Sequence, residues 1–186
     1  MNHLVLAASK SGSYVSQRDD CTAAFHKEFD YICVSLRRLG VNASDIEDLV
    51  HDVFLVSYRR WPDYDQSRPL KPYLFGILYR VAVGHFRRNR HHIHAEDDEL
   101  ELEDGAPRSD QAPAVEQARA LVLKALESVP LKRRAVLVMH DIDEMRMQDI
   151  ASTMSIPRFI AYSRLRKARK EFEAAVLRLQ KGSDLR

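Results

Sequence analysis

Apolar residues recur at helical spacing along most of the chain, and no stretch carries a strand signal of any weight, so the pattern predicts an all-α fold. From about Ala23 to Leu39, Phe25, Phe29, Ile32, Cys33 and Leu36 fall on one side of a helix. Ser44-Asp45-Ile46-Glu47 matches a capping box, in which a Ser and the Glu three residues later satisfy free N–H groups at a helix start. It opens a helix whose Ile46, Leu49, Val50, Val53 and Phe54 share one face, while Asp45, Glu47, Asp48 and Asp52 share the other. Prolines and polar turn formers then make a loop of Trp61 to Pro69. Pro72 starts a third helix, with Leu74, Ile77, Leu78, Val81 and His85 on one face and a cationic end at Phe86-Arg-Arg-Asn-Arg.

A break follows. Residues 94–113, HAEDDELELEDGAPRSDQAP, are acidic and carry Gly105, Pro107 and Pro113, the composition of a flexible, self-repelling linker. Helical spacing resumes at Val115, Ala118, Val122, Ala125, Leu126 and Val129, stops at Pro130, and resumes from about Leu131 to His140. The stretch Arg146 to Lys170 then predicts a short amphipathic helix (Met147, Ile150, Ala151, Met154), a tight turn at Ser155-Ile156-Pro157, and a longer helix toward Gln180. Its first thirteen residues, Arg158 to Lys170, hold six cations and no acid. Two helices joined by a short turn, the second cationic, have the build of a helix-turn-helix that lays its second helix in the DNA major groove. A solvated basic face in an ordinary bundle has the same composition. The predicted organisation is a tail (1–19), a helical domain (20–93), the linker (94–114), a second helical domain (115–180) and a C-terminal tail (181–186).

Charge sharpens this picture. The net formal charge is only +2, but residues 1–93 hold thirteen Lys/Arg against ten Asp/Glu, residues 94–114 one against eight, and residues 115–186 fifteen against nine. Two basic blocks around an acidic strip suit a protein whose two ends touch a polyanion. Hydrophobic content of 45% supports real cores, and no apolar run nears the roughly 20 residues that a membrane span needs. The N-terminal MNHLVLAASKSGS lacks the basic start of a signal peptide and is expected to be a tail. Cys21 and Cys33 are too few for a disulfide framework and fit a reducing, cytoplasmic setting as small hydrophobes.

Tyr64, Tyr73, Tyr79 and Phe86 interleave with Arg68, Arg80, Arg87, Arg88 and Arg90, the combination that single-stranded nucleic acid recognises, with rings for bases and cations for phosphates. About half of those rings are expected in the core. His91, His92 and His94 beside Glu96 and Asp97 fit solvated histidines better than a metal site, since they straddle a helix end without a cysteine. His140-Asp141 has the look of a helix end. The chain has no glycine-rich phosphate loop, nucleophile motif or carboxylate dyad, so neither an enzyme, a metal nor a cofactor is expected.

Four segments resemble the small extracytoplasmic-function (ECF) sigma factors of bacterial RNA polymerase, of the sigma-70 family. Asp45-Ile-Glu-Asp-Leu-Val-His-Asp-Val-Phe54 is similar to the family's DAEDLVQEVF. Pro72-Tyr-Leu-Phe-Gly-Ile77 with His85-Phe-Arg-Arg88 is similar to WLFGIARNVARDHLRR. Ser128 to Leu137 resembles LPERQREVL, and Asp149-Ile-Ala151 through Arg164-Leu-Arg-Lys-Ala-Arg169 resembles AEIAELLGIPVGTVKSRLHRAR. The resemblance implies a transcription initiation factor with core polymerase (beta and beta-prime subunits) and promoter DNA as partners, and it leaves room for an anti-sigma factor. It implies polymerase docking through Asp45, Glu47, Asp48, Leu49 and Asp52. It implies capture of unstacked −10 bases by Tyr64, Asp65, Ser67, Arg68, Tyr73, Arg80 and His85, with Arg87 and Arg88 on phosphates. For the −35 element it implies Arg158, Phe159, Ile160, Tyr162, Ser163, Arg164, Arg166 and Lys167.

The departures fall in the DNA-facing segments. Tyr73 stands for the family's tryptophan, Tyr79-Arg80 for its Arg-Asn, Met154-Ser155 for Leu-Gly, and Arg158-Phe-Ile-Ala-Tyr162 for Val-Gly-Thr-Val-Lys. Base edges are read by polar groups. Phe159, Ile160 and Ala161 offer only apolar contact, such as to thymine methyls, so a weakened or unusual −35 contact is expected, with Arg158, Arg164, Arg166 and Lys167 carrying more of the affinity through phosphates. A helix-turn-helix regulator that never joins polymerase, or a sigma-like protein that does not initiate, are the rival readings.

Overall fold

A computed structural model of the chain describes residues 19–93 and 114–183. Residues 1–18, 94–113 and 184–186, and the side chains of His91 and His92, lie outside the described residues, and with them the expectations for the tails, the linker and the 91–94 histidine cluster; helix α8 runs to Ser183, into the expected C-terminal tail. The described residues form eight helices and no strand. The first half holds α1 (19–27), α2 (Phe29–Arg38), α3 (Ile46–Arg60) and α4 (Leu70–Ile93). The second holds α5 (Ala114–Glu127), α6 (Leu131–Leu137), α7 (Met147–Thr153) and α8 (Arg158–Ser183).

In the first half, α2, α3 and α4 pack on one another around Ile32, Leu36, Leu49, Val53, Leu74, Phe75 and Leu78, all buried. Phe25 of α1 closes this core edge-to-face against Phe54, with ring centroids 5.0 Å apart. Cys21 is buried, which pushes its thiol up to about 11, and Cys33 is half-buried, so both serve as small hydrophobes. Three local expectations are corrected. The single helix expected over 23–39 is broken by a turn at Glu28, and that break leaves Phe29 exposed. The third helix begins at Leu70, and Pro72 lies inside its first turn, where no N–H is needed. The capping box does not form. The chain enters α3 through a 3₁₀ turn, Ala43–Asp45, so Asp45 takes the cap position and the Ser44 hydroxyl donates to its carboxylate at 3.0 Å.

In the second half α8 is the spine on which α5, α6 and α7 pack. Leu126, Val129, Val136, Met139, Ile150, Ala161, Leu165 and Ala168 form its buried side. Val115, Ala118 and Val122 of α5 are exposed, so only the last turns of that helix are buried. α6 runs on into a wide π turn, Val138–Ile142. Two Arg–carboxylate pairs tie this region to α8: Arg133 to Glu171 (2.7 and 2.8 Å) and Arg169 to Asp141 (2.6 and 2.8 Å). The α7–α8 connection is a Schellman turn, with Ile156 N–H donating to Ala151 C=O at 2.9 Å and Ser155 N–H to Ser152 C=O at 3.1 Å. Ser155 sits in the left-handed region there, at φ +51°.

The halves touch. α2 lies on α5, and α4 lies on α7. Arg134 is only 8% exposed, and its guanidinium donates to Glu127 C=O (2.6 Å) and Val129 C=O (3.0 Å) at the end of α5 and to Leu39 C=O (2.6 Å) at the end of α2. A cation between two helix C-termini meets both their free carbonyls and their negative dipole ends. Gly40, at φ +88°, makes this possible, because a Cβ there would collide with the Arg134 guanidinium. Across the same boundary the Asp143 carboxylate accepts from Tyr31 Oη (2.9 Å) and Arg38 Nη1 (3.0 Å), and Thr153 Oγ1 donates to Pro72 C=O (3.3 Å).

Candidate nucleic-acid and polymerase interface

The acidic side of α3 forms because its apolar residues turn inward. Glu47, Asp48 and Asp52 are exposed, at the end where negative charge favours the helix dipole. Asp45 is half-buried, 3.2 Å from His85 Nε2, and Leu49 points into the core. His85 is buried beneath α3 and lies within hydrogen-bond distance of Asn89 (3.2 Å), so it is held on the acidic side and apart from the loop aromatics.

The loop after α3 is self-contained. Asp65 accepts from the Ser67 N–H (3.0 Å) and Oγ (2.6 Å), which hold its carboxyl below the usual range. Arg68 Nε reaches the same carboxylate at 3.5 Å, and Tyr64 Oη donates to Arg68 C=O at 2.6 Å. Tyr64 lies on Tyr73 with centroids 4.4 Å apart and on Trp61 at 5.1 Å. Trp61 Nε1 and Tyr73 Oη are buried without a protein hydrogen-bond partner, and burial pushes the Tyr73 phenol up to about 12. Tyr64, Asp65, Ser67, Arg68 and Tyr73 therefore make one cluster, with Asp65, Ser67 and Arg68 on the outside.

Arg80 lies about two turns beyond Tyr73 on α4 and donates to Gly76 C=O at 2.7 Å. It joins Arg88 in a groove between α3 and α4 that Arg59, Arg60 and Asp52 also line. Arg87 is exposed beside it. Arg59 and Arg60 belong to this groove as well, beyond the residues that the sequence pattern points to. The signal was there, since they lie seven and eight residues after Asp52 on the same helix, but only the packing of α4 shows that they face the same groove.

On α8, Phe159 and Tyr162 are 70% and 57% exposed and share a shallow face with Ser163, Arg166 and Lys170. Arg158 donates to Gln148 on α7 at 3.4 Å, Lys167 is exposed, and Ile160 and Arg164 are half-buried. Ala161 is fully buried in the core, which corrects the expectation that it offers apolar contact to bases. The helix thus presents two aromatic rings flanked by cations. His140 and Asp141 are absorbed into the Arg169 pairing rather than forming a dyad. Among the described residues no group of three His, Cys, Asp or Glu side chains is placed to hold a metal, and no helix is long and apolar enough to cross a membrane.

Two family models match, Sigma-70 region 2 over residues 32–92 and Sigma-70 region 4 over residues 119–172. The RNA polymerase sigma factor CnrH of Cupriavidus metallidurans is 27% identical over 151 residues, covering 74% of this chain and 76% of that protein. The ECF RNA polymerase sigma-E factor of Escherichia coli is 23% identical over 157 residues, covering 80% and 82%. Among solved structures, the sigma factor RpoE of Bartonella quintana, determined with the anti-sigma factor NepR, superposes with a TM-score of 0.66 at 20% identity, covering 82% of this chain and 96% of that one. That likeness speaks to the fold.

Proposed function

The chain belongs to the sigma-70 family, in its extracytoplasmic-function group, and as such directs RNA polymerase to promoters; we propose here how its residues divide that work. Residues 20–93 serve as the polymerase and −10 domain, and 115–180 as the −35 domain. Glu47, Asp48 and Asp52 dock on a basic surface of core polymerase, with Asp45 and Leu49 shaping the helix that carries them. The loop cluster of Tyr64, Asp65, Ser67, Arg68 and Tyr73 receives unstacked −10 bases. Flipping a base costs a few kcal/mol, which stacking and hydrogen bonds in such a cluster offset. Arg80, Arg87 and Arg88, with Arg59 and Arg60, carry phosphates along the α3–α4 groove. His85 acts from beneath, by holding Asp45 and the start of α3.

The observation that carries this reading is the distribution of charge on one short chain: an acidic, exposed start of α3, an arginine-lined groove between the rest of α3 and α4, and a cationic helix-turn-helix beyond an acidic linker. In the −35 domain, Phe159 and Tyr162 supply apolar contact and Ser163 a hydroxyl on the same face, while Arg158, Arg166 and Lys167 hold phosphates, and the half-buried Ile160 and Arg164 support them. No step of bond chemistry is assigned to the chain; it acts by binding, in the cytoplasm where polymerase and chromosome meet. An anti-sigma factor is a further partner, as for the Bartonella relative.

The test is transcription by purified core polymerase on a pool of genomic promoter fragments, with and without this protein. New, specific start sites are expected, and aligning their upstream sequences gives both elements. Polymerase binding without new starts would favour a sigma-like protein that does not initiate, and no binding at all would favour a stand-alone regulator.

A further inference from the structure

A recognition helix meets base edges with the residues of its first turns. On α8 the outward residues there are Phe159 and Tyr162, both largely exposed, with Ser163 beside them. Ile160 and Arg164 are half-buried, Ala161 and Leu165 are buried, and Arg158 turns back to Gln148 of α7 at 3.4 Å. These turns hold no Asn or Gln to read adenine and no acid to read cytosine. The Tyr162 and Ser163 hydroxyls both donate and accept, so hydrogen bonds from them suit every base pair, and Phe159 makes none. Selectivity is left to apolar contact. The one apolar group that a base pair shows in the major groove is the C5 methyl of thymine. Charge fixes what covers the rings. Arg158 to Lys170 holds six cations and no acid, and Arg166, Lys167 and Lys170 are exposed one to two turns beyond Tyr162. The acids that come to this helix are engaged elsewhere, Asp141 with Arg169 and Glu171 with Arg133, and Glu173 stands at the far end of the face. An apolar protein surface would leave those cations unanswered. Duplex DNA answers both, with methyls inside the groove and phosphates along its edge.

We propose that the start of α8 is a C5-methyl reader: Phe159 and Tyr162 recognise pyrimidine methyl groups in the major groove, so their DNA element is marked by thymines and is strengthened equally by methylation of a cytosine at the same places. The proposal rests on the assignment of α8 to duplex DNA. A methyl on cytosine C5 projects into the groove where the thymine methyl does, and an aromatic ring that touches only that methyl does not distinguish the two bases. Phe159 and Tyr162 lie three residues apart, roughly 4.5 Å along the helix, against a step of about 3.4 Å between base pairs. The rings therefore fall within two base pairs of each other and read a short methyl-bearing step. Arg166 and Lys167, a turn further on, hold the helix in the groove through phosphates whatever the sequence is. Division of labour along one helix follows: cations set affinity, rings set preference, and cytosine methylation becomes an input to promoter choice.

Binding of the full chain to duplex DNA, without polymerase, tests this. A duplex is selected by the protein from a randomised pool, and each of its thymines is then replaced singly by deoxyuridine, which removes one methyl and keeps every hydrogen-bonding group. Where the rings lie, affinity by fluorescence anisotropy is expected to fall about fourfold for each methyl lost, the worth of one group of that size taken out of water. Elsewhere it is expected to stay level. With a C·G pair at such a place, 5-methylcytosine is expected to bind tighter than cytosine by the same factor of about four. Phe159→Ala with Tyr162→Ala, at exposed positions where helix content by circular dichroism should not change, is expected to abolish both effects and to leave the salt dependence as it was. Tyr162→Phe is expected to keep them, because the ring reads and the hydroxyl does not. Uracil without effect at every position would overturn the proposal and leave α8 a DNA helix. So would a methyl effect that survives loss of both rings, or a thymine effect with no matching gain from 5-methylcytosine. Rings that serve an apolar protein partner instead would show themselves by an alanine pair that binds and discriminates as the natural chain does, which also overturns it. If the protein selects and retains no duplex, the methyl reading falls together with the assignment of α8 to DNA.

Discussion

Ser155 is the residue at which the helix-turn-helix departs from the chemistry its backbone requests. The Schellman turn that ends α7 needs a left-handed residue, and the matching turn that ends α2 has Gly40 at φ +88°. Ser155 holds φ +51° with a Cβ, a conformation that costs an L-residue roughly 1–2 kcal/mol. Glycine returns part of that to unfolded-chain entropy, so Ser155→Gly is expected to stabilise the second half by about 0.5–1 kcal/mol, read as a higher urea midpoint at unchanged slope. Gly40→Ala should do the opposite and more, since its methyl would both strain the turn and displace the Arg134 guanidinium. The sequence pattern marked the turn at Ser155 correctly, because Pro157 and the end of the apolar spacing are local signals. It failed at Ser44, where the pattern predicts a capping box, because the chain enters α3 through a 3₁₀ turn that puts Asp45 at the cap, 3.2 Å from His85 on another helix, a contact that no local pattern shows. Arg134 was unreadable for the same reason: a buried cation is explained by three carbonyls that two distant helix ends bring to it.

At the scale of elements, α8 does two jobs along one axis, and its two sides respond to different variables. One edge of it is tied to the turn after α6 by Asp141 and Arg169, itself exposed next to the aromatic face. The hydrogen bonds from Arg169, with His140 adding to them, hold the Asp141 carboxyl below its ordinary value of 3.8. The folded value is thus lower than the unfolded one, so this pair stabilises the second half above the ordinary carboxylate range and its contribution disappears as pH falls through the folded value. The pair is partly exposed, so Asp141→Asn should cost no more than about 1 kcal/mol at neutral pH, and a urea-midpoint profile should lose its slope between neutral and acid pH by the same amount. The outer side carries Phe159, Tyr162, Arg166 and Lys167. Replacing Arg166 and Lys167 by alanine is expected to lower the slope of log affinity against log salt by nearly 2, about 0.9 for each phosphate no longer neutralised, on every duplex tested. Phe159→Ala should leave that slope alone and weaken binding only where a thymine methyl faces it. The helices themselves were legible because spacing at 3.6 residues is a one-dimensional signal. The buried position of Ala161 and the exposed first turns of α5 were less so, since they depend on which neighbour a face meets.

For the whole molecule the sequence shows charge by block, basic, acidic and basic, while the structure shows that the first block is itself divided. Glu47 and Asp48 face outward on α3, Asp52 is exposed at the rim of the groove, and Arg59 and Arg60 at the other end of the same helix turn to that groove with Arg80 and Arg88. A helix that is acidic at its start and basic at its end follows its own dipole, so this arrangement favours the fold as well as its partners. It also allows the two surfaces to be separated by experiment. Glu47→Lys with Asp48→Lys reverses the docking charge at exposed positions outside the groove, where substitutions usually change stability by less than about 0.5 kcal/mol, and leaves the loop aromatics and the helix-turn-helix untouched. Affinity for core polymerase, measured by fluorescence anisotropy, should fall by about 100-fold or more, because like charges at an interface cost several kcal/mol. Binding of the isolated protein to single-stranded DNA should hold or rise slightly with the added cations. A protein that read DNA without polymerase would keep its activity under this double reversal, and an initiation factor whose α3 face is the dock would lose its transcription while keeping its fold and its grip on DNA.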